Sequence, residues 1–351
     1  MKTSAAKTIF VFLLIVLLLL AAVSGFVWWR TTHNQGGVAA QQQAAAELKS
    51  LQAAVRSSGV AGSQKDSLES DLHEQLDALN RSAVEDAQPE EDHAPQDVPG
   101  LAQRMTQSSQ RIYDLASNTG LSSDESATLT SISVGQWATV QLLNGTLAEV
   151  EDPSSAASRE LKDLTGLGQN EALKADGLCP AMSDDAKDKA SGGAGSQQAD
   201  DGSNAEDSEN LTKVLTGLYT STWSESYFQA RQDVDNIPKD TSDRIVVAAK
   251  IHSSQLQQLR AGLDQNCSAM PQPKAAYKLP HGAAREPGKI MAEQADHLGS
   301  ESIGVIRSQK PGKSDAQGSG SWTAWGARSL ALNTAISTQI SGDVPALPGI
   351  S

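Results

Sequence analysis

The chain has 351 residues, a formal net charge of −14, and an apolar fraction of 38% in which aromatic residues make up only 4%. That length allows one or two packed domains, while so few large apolar side chains argue against a large rigid core. The acidic balance speaks against nucleic acid and anionic lipid headgroups as partners, since both carry the same sign.

Lys2 and Lys7 precede an apolar run from Ile9 to Val23, which resumes at Phe26 and ends in Trp28-Trp29-Arg30. As a helix, residues 8–29 reach about 33 Å at roughly 1.5 Å per residue, enough for a hydrocarbon core of about 30 Å. Paired tryptophans at its end and the amino-terminal lysines predict a single-pass anchor in the cell membrane. The N-terminus is then cytoplasmic and the bulk of the chain extracytoplasmic. A cleavable signal peptide, with Ala22 and Ser24 before the cut, is the competing reading. Apolar residues continuing past that point favour a retained signal-anchor.

Beyond the anchor, Leu48, Leu51 and Val55 recur at helical spacing, as do Leu68, Leu72, Leu76 and Leu79, with Gly59 and Gly62 between them. Seams this short predict a helical stalk over 31–99, a coiled coil or a solvated helix, ending in an acidic linker with Pro89, Pro95 and Pro99. A hairpin region follows over 100–183. Its first helix runs from Gly100 to Ser117. Its second is opened by Ser122 and Glu125 as a capping box and carries Leu129, Ile132, Val140, Leu143, Leu147 and Val150 on one face. Residues 184–209 are acidic, Ser/Gly-rich and without a large apolar side chain, which predicts a disordered linker. Four helical patterns then fall near 210–234, 242–265, 284–308 and 321–340. No segment alternates as a half-buried strand does. The predicted fold is all-α.

Cys179 and Cys267 are the only cysteines. Outside the membrane an even pair without a C-x-x-C spacing reads as one structural disulfide, with a redox or metal pair as the alternative.

The C-terminal region has a distinctive order. Leu218–Tyr227 carries Tyr219, Trp223, Glu225 and Tyr227. A helix with His252, Leu256, Leu259 and Leu263 follows, then the connector Ala276-Tyr277-Lys278-Leu279-Pro280, an alanine-containing helix, and a helix with Trp322 and Trp325. Leu347-Pro348-Gly349 closes the chain. Over about 208–350 this resembles the actinobacterial ferritin-like domain family of unknown function, and the resemblance implies a four-helix bundle across 210–351. Di-metal bundles of that architecture take a Glu from each of two helices and Glu-x-x-His from the other two. Here Glu225 stands in the first helix. His252 lacks its partner because position 249 is alanine. Glu293 and His297 are spaced i, i+4, and the fourth helix supplies no Glu, Asp or His before Asp343. The pattern therefore predicts a bundle without a cofactor, and a non-enzymatic binding or scaffolding role with an envelope protein or polymer as partner. The sharper alternative is a mononuclear iron or zinc site from Glu225, His252, Glu293 and His297. Against it, Glu225 and His252 read as hydrogen-bonded residues at the core edge and the other two as solvated. Trp223, Trp322 and Trp325 are expected in the bundle core.

Overall fold

The computed structural model describes residues 36–89, 95, 97–173, 179–181, 203–267, 270–280, 282–309 and 321–350. The anchor expected at 8–29 lies outside them, and no helix among the described residues is long and apolar enough to cross a membrane. Regular structure in the described residues is entirely helical. In chain order the helices are α1 (36–57), α2 (Ser63–Asp77), α3 (Arg81–Asp86), α4 (Val98–Ala116), α5 (Ser123–Asn144), α6 (Ala156–Thr165), α7 (Ser203–Arg231), α8 (Lys239–Asn266), α9 (Pro287–Arg307) and α10 (Trp322–Ser341).

The expected stalk does not stand apart. Leu48, Leu51 and Val55 of α1 and Leu68, Leu72 and Leu76 of α2 are buried in one core with Leu101, Met105 and Ile112 of α4 and Leu129 and Ile132 of α5. An apolar seam of two or three turns serves a bundle core as well as a coiled coil, so periodicity alone could not separate them. Polar contacts fix α1 in place. Glu47 forms an ion pair with Arg104 at 2.9 Å and accepts a hydrogen bond from Arg111 at 2.6 Å, both on α4. Lys49 Nζ donates to the carbonyls of Val84 and Ala87 at the end of α3, where a cation meets the negative helix terminus.

α4 and α5 form the predicted antiparallel hairpin. Ser126 Oγ donates to the Ala116 carbonyl at 2.6 Å, and Ser109 and Ser133 exchange hydroxyl-to-carbonyl bonds further along. The capping box is present: the Glu125 N–H donates to Ser122 Oγ, and the Glu125 carboxylate accepts from the Ser122 N–H at 2.7 Å. The second helix stops sooner than its apolar pattern predicts. Gly145 takes a left-handed φ of 70°, and Leu147–Glu149 form a separate 3-10 turn. Helix α6 then packs Leu161 and Leu164 against the second core.

That core is built by α7 to α10 with the other side of α5. α7 pairs with α8 and α9, α9 pairs with α10, and α5 lies on both α9 and α10. α7 begins at Ser203 rather than beyond the acidic segment. The Ser208 carbonyl accepts from Ala181 N–H, Thr212 Oγ1 takes a bond from the same amide, and acidic residues suit the positive start of a helix. The predicted disulfide forms between Cys179 and Cys267, whose Cα atoms are 5.6 Å apart, and ties residues 179–181 to the end of α8.

After α10, Gly342 turns the chain left-handed (φ 87°), and Asp343–Ile350 runs back as a strap between the core of α1, α2 and α4 and that of α7 to α10. Gln75 Nε2 of α2 donates to the Ala346 carbonyl at 3.0 Å and Ser131 Oγ of α5 to the Pro348 carbonyl at 2.8 Å. Gly135 admits the strap because a Cβ there would lie 3.0 Å from the Ala346 oxygen.

These placements make Leu48 a test of the first core. Leu48→Ala should lower stability by about 2–5 kcal/mol, as for a fully buried leucine. A stalk residue would change the urea midpoint hardly at all. Replacing Cys267 by serine should cost on the order of 4 kcal/mol in the chain-entropy account of so long a loop, read as a fall in Tm that reductant reproduces in the parent chain.

Candidate functional site

The best-defined polar constellation lies inside the second core, where α7, α8 and α10 meet. Glu225, His252 and Asn333 are each buried to within about 1% of full enclosure. His252 Nδ1 lies 2.5 Å from Glu225 Oε1, and its Nε2 lies 2.9 Å from Asn333 Oδ1. Asn333 cannot turn its amide over without loss, because its Nδ2 donates to the Ser329 carbonyl at 2.8 Å. Its oxygen therefore faces the ring, and Nε2 must carry a proton. The line continues through the Ser329 hydroxyl, which accepts from Ser302 Oγ at 2.9 Å, to α9. Four helices are thus joined by one chain of hydrogen bonds.

Burial pushes the His252 pKa down, while the Glu225 carboxylate, the bond to it and the Asn333 oxygen push it up; the net result is above the ordinary 6.5. A buried imidazolium is tolerable because an anion and a carbonyl dipole take both N–H groups. Among the described residues Glu225 Oε2 has no hydrogen-bond partner, and neither end of the buried Gln255 side chain has one.

The structure divides the four metal-ligand candidates. Glu225 and His252 come together in the core, not at its edge. Glu293 and His297 sit on the exposed side of α9, and His297 Nε2 pairs with Glu301 Oε1 at 3.4 Å. Among the described residues no three His, Cys, Asp or Glu side chains are grouped so that they could hold a metal ion. The four-residue mononuclear site therefore does not assemble. The reason is rotational: positions 293 and 297 lie one turn apart on the face of α9 opposite Ala295, Leu298 and Ser302, which face inward.

Glu301 and His297 instead border a groove of about 370 Å³ between α7 and α9, with Thr216, Gly217, Ser221 and Leu298 among its lining residues. Burial raises the Glu301 pKa, with His297 and Lys213 opposing. The helices come close here because residue 217 is glycine; a Cβ would fall 2.6 Å from Leu298 Cδ2.

Trp322 and Trp325 are buried as expected and meet edge to face at 6.4 Å. Trp223 departs from expectation. It is half-buried and stacks on Tyr227 at 5.8 Å, with Tyr277 of the connector beside it at 6.0 Å. The residue that sequence reasoning missed is Asn333. Its signal was available, as the one amide in the run Leu330-Ala331-Leu332-Asn333-Thr334-Ala335-Ile336. No family model, curated protein or solved structure matches this chain.

The network predicts an asymmetric mutational response. Glu225→Ala strands a buried cation and should cost about 3–5 kcal/mol, whereas the double variant Glu225→Leu/His252→Leu should recover much of that loss. In pH, a histidine whose folded pKa is raised stabilises fully below about 6.5 and loses that contribution as pH rises through the folded value. The urea midpoint of the parent chain should fall across that interval, and the double variant should lack the fall.

Proposed function

We propose that this chain is a membrane-anchored extracytoplasmic protein whose four C-terminal helices form a ferritin-like bundle used as a scaffold or binding module rather than as a catalyst. The observation that carries the reading is how few carboxylate and histidine side chains the described bundle interior offers. A di-metal centre of that architecture needs about six carboxylate and histidine ligands drawn from all four helices. The interior here offers Glu225 and His252, and each takes the other as partner, with Asn333 completing the set. The residues present do not fit a di-metal centre.

The extracytoplasmic part of the reading is supported by the apolar segment 8–29 and by the disulfide, since such bonds persist in oxidising compartments. The N-terminal helices then stand between the membrane and the bundle as a packed layer, and the partner is an envelope protein or polymer rather than nucleic acid.

Two measurements bear on this. The full chain should fractionate with membranes and be cleaved by protease added from outside; a soluble cytoplasmic product would overturn the localisation. Metal analysis of the detergent-purified full chain should give iron and zinc far below one per molecule. Near-stoichiometric metal that disappears in the Glu225→Ala/His252→Ala variant would replace the scaffold reading with a metalloprotein.

A further inference from the structure

The groove between α7 and α9 has a volume of about 370 Å³, within the range that small ligands occupy. Much of its wall is hydrocarbon. Leu298 lines it from α9. On α7, Thr212 and Thr220 turn their hydroxyls back to the carbonyls of Ser208 and Thr216 one turn earlier, which leaves their methyl groups for the groove.

One carboxylate interrupts this wall. Glu301 keeps only 12% of its side chain exposed, and its Oε2 is shut off from solvent with no hydrogen-bond partner among the described residues. That oxygen lies over the bare α-carbon of Gly217, 3.5 Å from where a Cβ would stand. The other oxygen meets His297 Nε2 at 3.4 Å, a long approach from a ring that is three-quarters exposed. Lys213 also borders the groove, but its Nζ pairs with Glu209 at 2.9 Å. It acts on Glu301 as a nearby charge rather than as a hydrogen-bond donor.

We propose that this groove binds a small aliphatic molecule carrying one primary ammonium group, which donates to the Glu301 carboxylate while its hydrocarbon chain lies along Leu298 and the threonine methyls. An anionic oxygen with neither water nor a donor is unfavourable, and a charge-assisted N–H···O bond is the strongest remedy. Burial raises the Glu301 pKa above 4.5, with His297 and Lys213 opposing, so the protein alone leaves this carboxylate short of stabilising contacts. Charge points the same way. Glu209 and Glu301 face one lysine across the groove, so a monocation balances them and an anion does not. A neutral chain would cover the wall and leave Oε2 as it is. The bound ammonium takes the place of His297, whose exposed ring turns out into water. Such a site makes the bundle a ligand-binding module whether or not the chain is anchored, so failure of amine binding and failure of membrane fractionation are separate results.

n-Butylamine and 1-butanol, titrated into the detergent-purified full chain at neutral pH and followed by saturation-transfer NMR, test this. The amine should bind with a Kd on the order of millimolar, as suits so small a ligand. The alcohol has the same chain without the charge and should bind at least about tenfold more weakly. Glu301→Gln keeps the shape and removes the charge; it should weaken the amine by about tenfold or more, leave the alcohol unchanged, and retain the parent's Tm or exceed it. Glu293→Gln, on the exposed side of α9, should bind both as the parent does. Absence of amine binding, equal binding of amine and alcohol, or amine binding unaffected by Glu301→Gln overturns the site. An equal loss in Glu293→Gln also overturns it, because that marks general attraction of a cation to an acidic surface.

Discussion

Between Ser126 and Gln141, helix α5 has no solvent-facing side apart from Thr128 and Thr139, so the polar groups of that stretch must find their partners within the protein; the hydroxyls of Thr130, Ser131 and Ser133 do, while Gln136 Oε1 and Trp137 Nε1 do not. This constraint governs the rest of the molecule. One side of α5 completes the core of α1, α2 and α4, and the other lies in the core of α7 to α10. The hydroxyls are accommodated in three ways. Thr130 bonds back to the Ser126 carbonyl one turn earlier, Ser133 pairs with Ser109 on α4, and Ser131 holds the strap at Pro348. Remove the strap and the Ser131 hydroxyl and the Gln75 amide nitrogen lose their acceptors, while Gln75 Oε1 keeps its bond from Gln136 Nε2.

The same solution explains how a chain with so little aromatic and large aliphatic content forms packed cores at all. α10 is buried from Trp322 to Thr338 except at Thr323, and much of that surface is Ala, Ser, Thr and Gly. Small side chains let helix axes approach: a Cβ at Gly326 would stand 2.8 Å from Ile306 Cγ1. Closer axes mean more backbone and Cβ atoms in van der Waals contact, which offsets the smaller area that each side chain buries. Composition argued against a large rigid core because it counts side-chain size and takes no account of axis separation.

What was legible in the sequence was local. The capping box at Ser122, the existence of the C-terminal helices and the pairing of two lone cysteines each depend on residues that signal their own conformation. What was illegible depends on the partner. Leu48 and Leu72 carry the same period whether they meet a second copy, water or α4. Residues 203–209 read as linker because acidic, small residues are shared by disordered segments and by the first turn of a helix. Glu293 and His297 looked like ligands on spacing, and the rotation of α9, set by Ala295 and Leu298, turns them outward. The strap has no period at all. Its two prolines and Gly349 have meaning only against Gly135 and Gly299, far away in the chain.

A core of small residues raises a problem of register, and the buried Glu225–His252–Asn333 line answers it. Antiparallel helices lined with Ala, Ser and Thr present shallow ridges, so sliding one helix past another by a turn forfeits little packing. The polar line removes that tolerance. Displacing α8 by one turn would carry His252 past both Glu225 on α7 and Asn333 on α10, leaving a carboxylate and an imidazolium separately buried at a cost of several kcal/mol. Ser302 and Ser329 extend the same demand to α9. A neutral amide in place of the charge pair would fix the register less firmly, since an unpaired amide costs only about 1–3 kcal/mol. The charge pair is thus matched to the composition around it: the fewer large side chains there are to interlock, the more of the specificity has to come from groups that tolerate only one partner.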